Sequence, residues 1–271
     1  MKIRPLVLCG AVVGTALAQN VLAADFASPD DERAARWSAI AKAVFGDRKI
    51  EPTETLIKLE APQRAQDAAL MPVTLRIPEK DKVKSVYLVI DDNPSPLAAH
   101  VTFGPAADPG LLQLRVRVDT YTNVHAVAET RDGRLFGTVA FVKASGGCSA
   151  PVAATDEEAM QGMGEMRMKF TERSGPGMPT QATLMIRHPN FNGMQMNQLT
   201  RNYSPPRYID RLSVSYGDST IFDLDADISL STNPVITFSF LSNGNGPVKV
   251  IASDSMQGRW EQSFDVPATT N

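Results

Sequence analysis

The sequence predicts an all-β protein made of two immunoglobulin-like antiparallel β-sandwich domains with a short N-terminal helix. Apolar residues alternate with a period of two through most of the chain. Turn signals made of Asp, Asn, Gly and Pro separate the alternating runs at short intervals. The runs form two groups, and residues 149–166 between them lack alternation. Each group is about a hundred residues long, which is an ordinary domain size.

Residues 1–24 have the pattern of a cleavable secretory signal peptide. Lys2 and Arg4 supply the positive start, and the apolar run over residues 6–17 is too short to cross a bilayer. Small residues then lead to an expected cleavage site near Ala24. We expect export to an oxidising compartment, most simply a bacterial periplasm, and no later apolar run is long enough to span a membrane.

A short helix is predicted next, because Ser28 can cap a helix that has Pro29 at its first position and acidic residues in its first turn. Trp37 and Phe45 belong to an apolar face at helical spacing, and Gly46 supplies the stop. The helix is expected to pack on the strands that follow it.

The first sandwich is predicted over residues 28–148. Its alternating apolar runs are Met71 to Ile77, Val86 to Ile90, Leu112 to Val118, and Leu135 with Val139 and Phe141. Turns are expected at Asp91 to Pro94, Asp108 to Gly110 and Arg131 to Gly133.

Residues 149–166 read as a mobile linker, because they combine acidic residues with Gly162 and Gly164. The second sandwich is predicted over residues 167–267. Its apolar runs are Ala182 to Ile186, Leu212 with Val214, Ile221 to Leu224, Val235 to Phe240, Val248 to Ala252, and Phe264 with Val266.

The charge argues against nucleic-acid binding. The whole chain has a net charge of -3, and loss of the leader with Lys2 and Arg4 leaves about -5. The remaining chain has no large basic block, so neutralisation of a phosphate backbone is not expected.

Cys148 is the single cysteine that remains once the leader, with Cys9, is removed. Gly146 and Gly147 precede it, and we expect them to form a hinge that displays the thiol to solvent. Cys148→Ser is then expected to leave folding intact. An unpaired cysteine also permits a disulfide-linked dimer through Cys148. The alternative is a buried, inert cysteine, which is common among free cysteines.

Catalysis is a competing interpretation, with His100, His125 or His188 near the thiol. His125 lies in an alternating run and His188 precedes a proline, and both are ordinary structural settings. The sequence has no Cys-x-x-Cys pair, no Ser-centred elbow and no zinc-type His spacing. We therefore expect no enzyme activity, no metal and no cofactor.

A copper-binding module is a second alternative, because thioethers in an oxidising compartment can hold copper. Methionines cluster after the linker at positions Met160, Met163, Met166, Met168, Met194 and Met196. Methionine more often fills gaps at domain and partner surfaces.

The order of short motifs resembles the SoxY and SoxZ sulfur-oxidation carriers, here joined in one chain. In the first half the motifs are Phe45-Gly46, Asp92 to Pro96, Leu114 to Val118, Val127 to Glu129, Asp132-Gly133 and the terminal Gly146-Gly147-Cys148. In the second half they are Ile186 to Pro189, Asn192-Gly193, Pro206 to Ile209, Asn233-Pro234 with Phe238, and Asp254 to Trp260.

This resemblance implies a non-catalytic carrier that holds a sulfur compound covalently on Cys148, with a hinge at Gly146 and Gly147. It also implies periplasmic partners that process sulfur compounds or belong to a quinoprotein dehydrogenase system, for which the chain could alternatively be an accessory docking module. The family usually ends in Gly-Gly-Cys-Gly-Gly, whereas Ser149 to Pro151 follow here. An arm held at both ends reaches less deeply into a partner.

Overall fold

The computed structural model of the protein describes residues 29–171, 179–242 and 246–267. The predicted signal peptide and the capping Ser28 lie outside the described residues. β-Strands in two packed sheets are the main regular structure of the described chain, which confirms the predicted all-β sandwich. No helix in the described ranges is long and apolar enough to cross a membrane.

The first half of the chain contains helix α1, a single 3-10 turn and eight strands. Their bounds are α1 Pro29–Phe45, β1 Ile50–Pro52, β2 Lys58–Glu60, β3 Met71–Arg76, the 3-10 turn Lys80–Lys82, β4 Val83–Ile90, β5 Leu97–Phe103, β6 Ala107–Val116, β7 Thr122–Thr130 and β8 Leu135–Val142.

The second half contains the short helix α2 and seven further strands. Their bounds are α2 Asp156–Met160, β9 Met166–Phe170, β10 Thr180–Ile186, β11 Ile209–Tyr216, β12 Ser219–Ala226, β13 Val235–Phe240, β14 Val248–Asp254 and β15 Arg259–Phe264.

The two halves are sandwiches joined edge to edge. One sheet has nine strands in the order β1-β8-β7-β4-β5-β12-β11-β14-β15, and the other has six in the order β2-β3-β6-β13-β10-β9. Each half thus contributes strands to both sheets, and the halves meet where β5 pairs with β12 and β6 pairs with β13. A single apolar core runs between the sheets across this junction.

The junction is closely packed. Leu224 of β12 pairs with Val101 of β5, and Phe238 of β13 pairs with Leu112 of β6. A side chain at Gly104 would put its Cβ 2.3 Å from the Thr220 carbonyl oxygen, so only glycine fits there. Burial of apolar side chains from both halves stabilises the joined arrangement.

Helix α1 covers the outer face of the nine-stranded sheet, as predicted. Gly46 ends it in a left-handed conformation with φ +67°, and its N–H donates to the Lys42 carbonyl at 2.9 Å. Phe45 packs against Val127 and Leu135. The Trp37 ring stacks on the His125 ring with 3.6 Å between the centroids.

The alternation of Leu135, Val139 and Phe141 is confirmed, because all three lie in β8 on the outer face of the nine-stranded sheet. Helix α1 packs on Leu135, and its Arg33 guanidinium lies 5.1 Å from the centroid of the Phe141 ring. Val139 and Phe141 are nevertheless exposed at 53% and 39%. A period of two places these residues on one face but does not say whether that face is buried.

Two local predictions need correction. Asp108 to Gly110 was predicted to be a turn, but it lies inside β6, where a register irregularity opposite Phe238 and Ser239 accommodates Pro109 and Gly110. Residues 149–166 are not wholly irregular, because they contain α2, whose Thr155 side chain caps the helix by accepting from the Glu158 N–H at 3.1 Å. The boundaries of the two domains remain a prediction.

Candidate functional site

Asn93 shapes the chain on which the cysteine rests. Its side chain is buried, donates to the Arg117 carbonyl at 2.8 Å and accepts from the Asp119 N–H at 3.0 Å. The same amide donates to the Ser229 hydroxyl at 2.9 Å, so it also ties this segment to the second half. The carbonyls of Val118 and Asp119 are thereby held in place as acceptors.

The Cys segment, residues Gly146 to Ser149, docks on those carbonyls. The Gly146 N–H donates to the Asp119 carbonyl at 2.7 Å, and the Gly147 N–H donates to the Val118 carbonyl at 3.0 Å. Four residues in a tight turn are thus fixed by main-chain hydrogen bonds to a neighbouring strand end. The segment is docked rather than free.

Cys148 is buried, with 1% of its surface exposed. The prediction of a thiol displayed to solvent is therefore wrong for this conformation. Burial, together with the nearby Asp119 carboxylate, raises the pKa of the Cys148 thiol to about 12, against the opposing effect of the Arg117 guanidinium. The docked thiol is protonated at neutral pH and is a poor nucleophile.

The two glycines are needed for docking in different ways. Gly147 has no room for a side chain, since a Cβ would lie 2.1 Å from the Ala68 carbonyl oxygen and 2.6 Å from that of Val118. Gly146 adopts φ +73°, which favours glycine, but a Cβ there would meet nothing closer than 3.9 Å. In this conformation both glycines allow close approach and a tight turn; their use as a hinge stays a prediction.

The second half of the chain closes over the cysteine. The Asn192 side chain, itself buried, donates to the Cys148 carbonyl at 2.8 Å. Asn192 belongs to residues 190–204, here called the asparagine loop. Thr232, also from the second half, accepts a hydrogen bond from the Arg117 guanidinium. The site therefore lies at the junction and is built by both halves.

Arg117 is the positively charged group that acts on the thiol. It is 1% exposed and donates to the Gly147 carbonyl at 3.3 Å. Burial lowers the pKa of Arg117 to about 10, and the guanidinium still carries its charge at neutral pH. Its Nε–H has no hydrogen-bond partner among the described residues. In the sequence, Arg117 stands out only as part of the motif Leu114 to Val118, and no local signal marks it as a neighbour of the cysteine.

The histidines do not form a catalytic site with the thiol. His125 bonds to Asp91 at 3.2 Å beneath helix α1, and His188 bonds to Asp254 at 3.3 Å. His100 stacks on the Tyr87 ring with 4.1 Å between the centroids. Within the described ranges, the charged groups that act on Cys148 are Asp119 and Arg117, and no histidine is among them.

The methionine cluster is divided between structural positions and the surface. Met166 is buried in the core, and Met168 packs against it from β9. Two of the six predicted copper ligands therefore fill the sandwich interior. In the described part of the chain no group of three or more His, Cys, Asp or Glu residues could hold a metal ion.

A cavity of about 610 Å³ opens beside the Cys segment. Its wall includes Ala150, Pro151 and Val152, which come after Ser149 in the chain, and Arg117 also lines it. The arrangement thus combines one sheltered thiol, one buried cation and an adjoining open space. Among the described residues, no histidine acts on the thiol as a possible general base.

Comparison with known proteins gives two family matches. Residues 41–148 match the model described as sulfur oxidation protein SoxY, and residues 168–265 match the model described as sulphur oxidation protein SoxZ. None of the curated proteins is a significant match.

Two solved structures are similar over parts of the chain. The sulfur carrier protein SoxY from Chlorobium limicola f thiosulfatophilum is 27% identical, covers 41% of this chain and 94% of its own, and has a TM-score of 0.36. A beta-glycosidase from Bacteroides vulgatus is 10% identical, covers 79% of this chain and 25% of its own, and has a TM-score of 0.25.

Proposed function

The chain is a sulfur-oxidation carrier fusion, with a SoxY domain at residues 41–148 followed by a SoxZ domain at residues 168–265, and we propose that it holds a sulfur compound covalently on Cys148. It presents this cargo to partner enzymes and does not catalyse the chemistry itself. The observation that carries the proposal is that the SoxY match ends on Cys148, the residue docked at the junction.

The docked thiol is a sheltered resting state. An unpaired thiol in an oxidising compartment is prone to unwanted oxidation, and burial with a raised pKa slows that reaction. A bulky adduct does not fit at a position that is 1% exposed in a close-packed surrounding. Loading therefore requires release of the Cys segment, with Gly146 and Gly147 as the hinge.

Two reactions would attach a sulfur compound to Cys148 with atoms and electrons balanced. In thiol exchange, the released Cys148 thiolate attacks a disulfide-type sulfur and expels the other sulfur as a thiolate, which needs no oxidant. In oxidative coupling of Cys148 with a second thiol, two electrons and two protons must pass to an electron-accepting partner enzyme. No histidine among the described residues acts on Cys148, so the partner enzyme has to activate the thiol.

The proposed location is the periplasm, where the predicted signal peptide over residues 1–24 would direct the chain. The proposed partners are periplasmic proteins that process sulfur compounds or belong to a quinoprotein dehydrogenase system. A disulfide between two chains through Cys148 also requires release of the Cys segment, because the docked sulfur is buried.

A second candidate is an accessory docking protein in which Cys148 is structural. The burial of the sulfur and its raised pKa favour this function specifically. The two functions differ in one respect, since only the carrier requires that the Cys segment leave its site and return.

The test is the intact mass of protein purified from its native compartment without reductant. The carrier predicts a reductant-labile mass increase that peptide mapping places on Cys148 and that Cys148→Ala lacks. Alanine is a better control than serine, because a hydroxyl at this buried position costs about 1–3 kcal/mol and the earlier expectation of harmless Cys148→Ser assumed exposure. A persistent free thiol that resists small probes supports the docking protein instead.

A further inference from the structure

The cavity beside the Cys segment lies on the outer face of the six-stranded sheet. Met185 of β10 pairs with Val235 of β13 on one side and with Arg167 of β9 on the other. On the β6 side, the Arg115 carbonyl accepts from the Ser231 N–H at 3.1 Å, where β6 runs beside the segment that leads into β13. Arg115 on β6 and Arg167 on β9 therefore stand on opposite sides of an apolar floor, because β13 and β10 lie between those two strands.

The lining of this cavity has an excess of positive charge. Four arginines, Arg115, Arg117, Arg167 and Arg187, line it against two carboxylates, Asp67 and Glu165. None of the four arginines makes an ion pair with any residue that the structure describes. Arg117 is buried and makes no ion pair, and the Asp67 carboxylate acts on it only from a distance, so an anion in the cavity would offset part of the cost of burying this cation.

We propose that this cavity binds a small molecule that carries oxyanion groups, held without a covalent bond. Arginine forks match carboxylate and sulfonate oxygens, and here they stand at separated points around the space. The volume of about 610 Å³ lies within the range of small-molecule pockets, roughly 300–1,000 Å³, and exceeds what an inorganic anion fills. Met185 and Val235 provide an apolar floor for a carbon body between charged ends.

The position of the cavity suggests what the bound anion does. Ala150 to Val152, which begin two residues after Cys148, form part of the cavity wall, and Arg117 both acts on the thiol and lines the cavity. A molecule bound there is next to the carrier sulfur when the Cys segment releases. The placement of the bound anion next to the carrier sulfur rests on the proposed function, whereas non-covalent binding of an anion in the cavity does not.

The test uses isothermal titration of the full chain with Cys148→Ala, so that no covalent attachment can contribute. Thiosulfate and glutathione are the probes, at constant ionic strength, with chloride as the reference anion. We expect binding of glutathione, weakened about tenfold by Arg167→Gln and by Arg187→Gln, because each removes a charge-assisted hydrogen bond. Arg259→Gln is the matched control, since Arg259 is an exposed strand arginine outside the cavity.

Glutathione is the expected ligand, because thiosulfate has no carbon body to cover the apolar floor. The proposal is overturned if glutathione does not bind, if it binds no better than thiosulfate, if chloride competes equally, or if Arg259→Gln weakens binding as much as the cavity variants do. Binding of a glutamate-rich peptide alone also overturns it and assigns the surface to a protein partner. If the cavity binds an anion but Cys148 is never loaded, the carrier function is refuted and the anion-binding proposal stands. If Cys148 is loaded but the cavity binds no anion, only the anion-binding proposal is refuted.

Discussion

The Cys segment and the asparagine loop touch at one hydrogen bond but are held by different means. In the asparagine loop, Asn192 accepts from the Met194 N–H at 2.9 Å, and Gln195 accepts from the Asn192 N–H at 2.9 Å. Asn197 accepts from the N–H groups of Leu199 and Thr200 in the same loop. This loop supports its own shape through local side-chain hydrogen bonds.

The Cys segment has almost no support of its own. Its one internal side-chain hydrogen bond runs from the Ser149 hydroxyl to the Gly146 carbonyl at 3.3 Å. The other contacts that hold it reach outward, to Val118, Asp119, Arg117 and Asn192. A segment held from outside can leave as a unit while the surrounding framework keeps its shape. The asparagine loop thus keeps its own shape, and it holds the Cys segment through the hydrogen bond from Asn192 to the Cys148 carbonyl.

The largest expected effect comes from Gly147→Ala. The added Cβ collides with the Ala68 and Val118 carbonyls, and overpacking of this kind costs about 2–3 kcal/mol, which corresponds to about a hundredfold more of the released state. The rate at which a small alkylating reagent labels Cys148 in the native chain should rise by that factor.

Gly133→Ala is the control for this prediction. Gly133 also has a positive φ, +84°, but a Cβ there meets nothing within 4 Å, and the residue lies in the turn between β7 and β8. Gly133→Ala should lower the free energy of unfolding by about 1–2 kcal/mol and leave the labelling of the Cys148 thiol unchanged. Equal labelling of the wild type and a folded Gly147→Ala chain would show that docking does not shelter the thiol.

The pH dependence of labelling gives the next largest effect. Docking raises the pKa of Cys148 from the ordinary 9.0 to about 12. The docked state is therefore favoured in full below pH 9 and loses stability as the pH rises toward 12. Between pH 9 and 10.5 labelling should increase about thirtyfold, whereas a freely exposed thiol gains at most about twofold over this interval.

A plateau above pH 9 would mean that Cys148 reacts from an open position with an ordinary pKa. Labelling of the same chain in denaturant supplies the reference curve for the exposed thiol. Circular dichroism at each pH confirms that the sandwich remains folded over the interval.

Asn192→Asp should have a smaller effect. The carboxylate keeps the acceptor for the Met194 N–H but loses the donor to the Cys148 carbonyl, and two oxygens then face each other. Loss of this buried hydrogen bond should raise thiol labelling about tenfold. Asn202→Asp, at an exposed position of the same loop, should leave labelling as in the wild type. If both variants label alike, the hydrogen bond from Asn192 does not hold the Cys segment in place.

Much of the fold was predictable because it depends on local patterns. The period of two marked strands such as β3 and β10, and Pro29 with Gly46 bracketed helix α1. The edge-to-edge joining of the halves was not predictable in this way. The pairing of β5 with β12 and of β6 with β13 depends on the registers between strands that are far apart in the chain. A local period of two carries no information about these registers.

The site shows the same division. Cys148 was identified because a lone cysteine after two glycines is visible in the sequence. Its burial was missed, because Gly-Gly was read as flexibility, whereas Gly147 is required by the distant carbonyls of Ala68 and Val118. Asn93 and Asn192 were quoted as motif residues without a role. The available signal was that both asparagines lie beside turn-forming residues, since asparagine side chains at turns commonly bond to backbone groups.

Hydrogen exchange of the Gly146 and Gly147 amides tests the central claim most directly. It should be compared between the chain with a free thiol and the chain that carries glutathione as a mixed disulfide on Cys148. The account predicts slow exchange in the free-thiol form, fast exchange in the loaded form, and an unchanged asparagine loop and core in both. Equal protection of these amides in the two forms, or loss of protection throughout the sandwich on loading, would contradict a docked and releasable carrier segment.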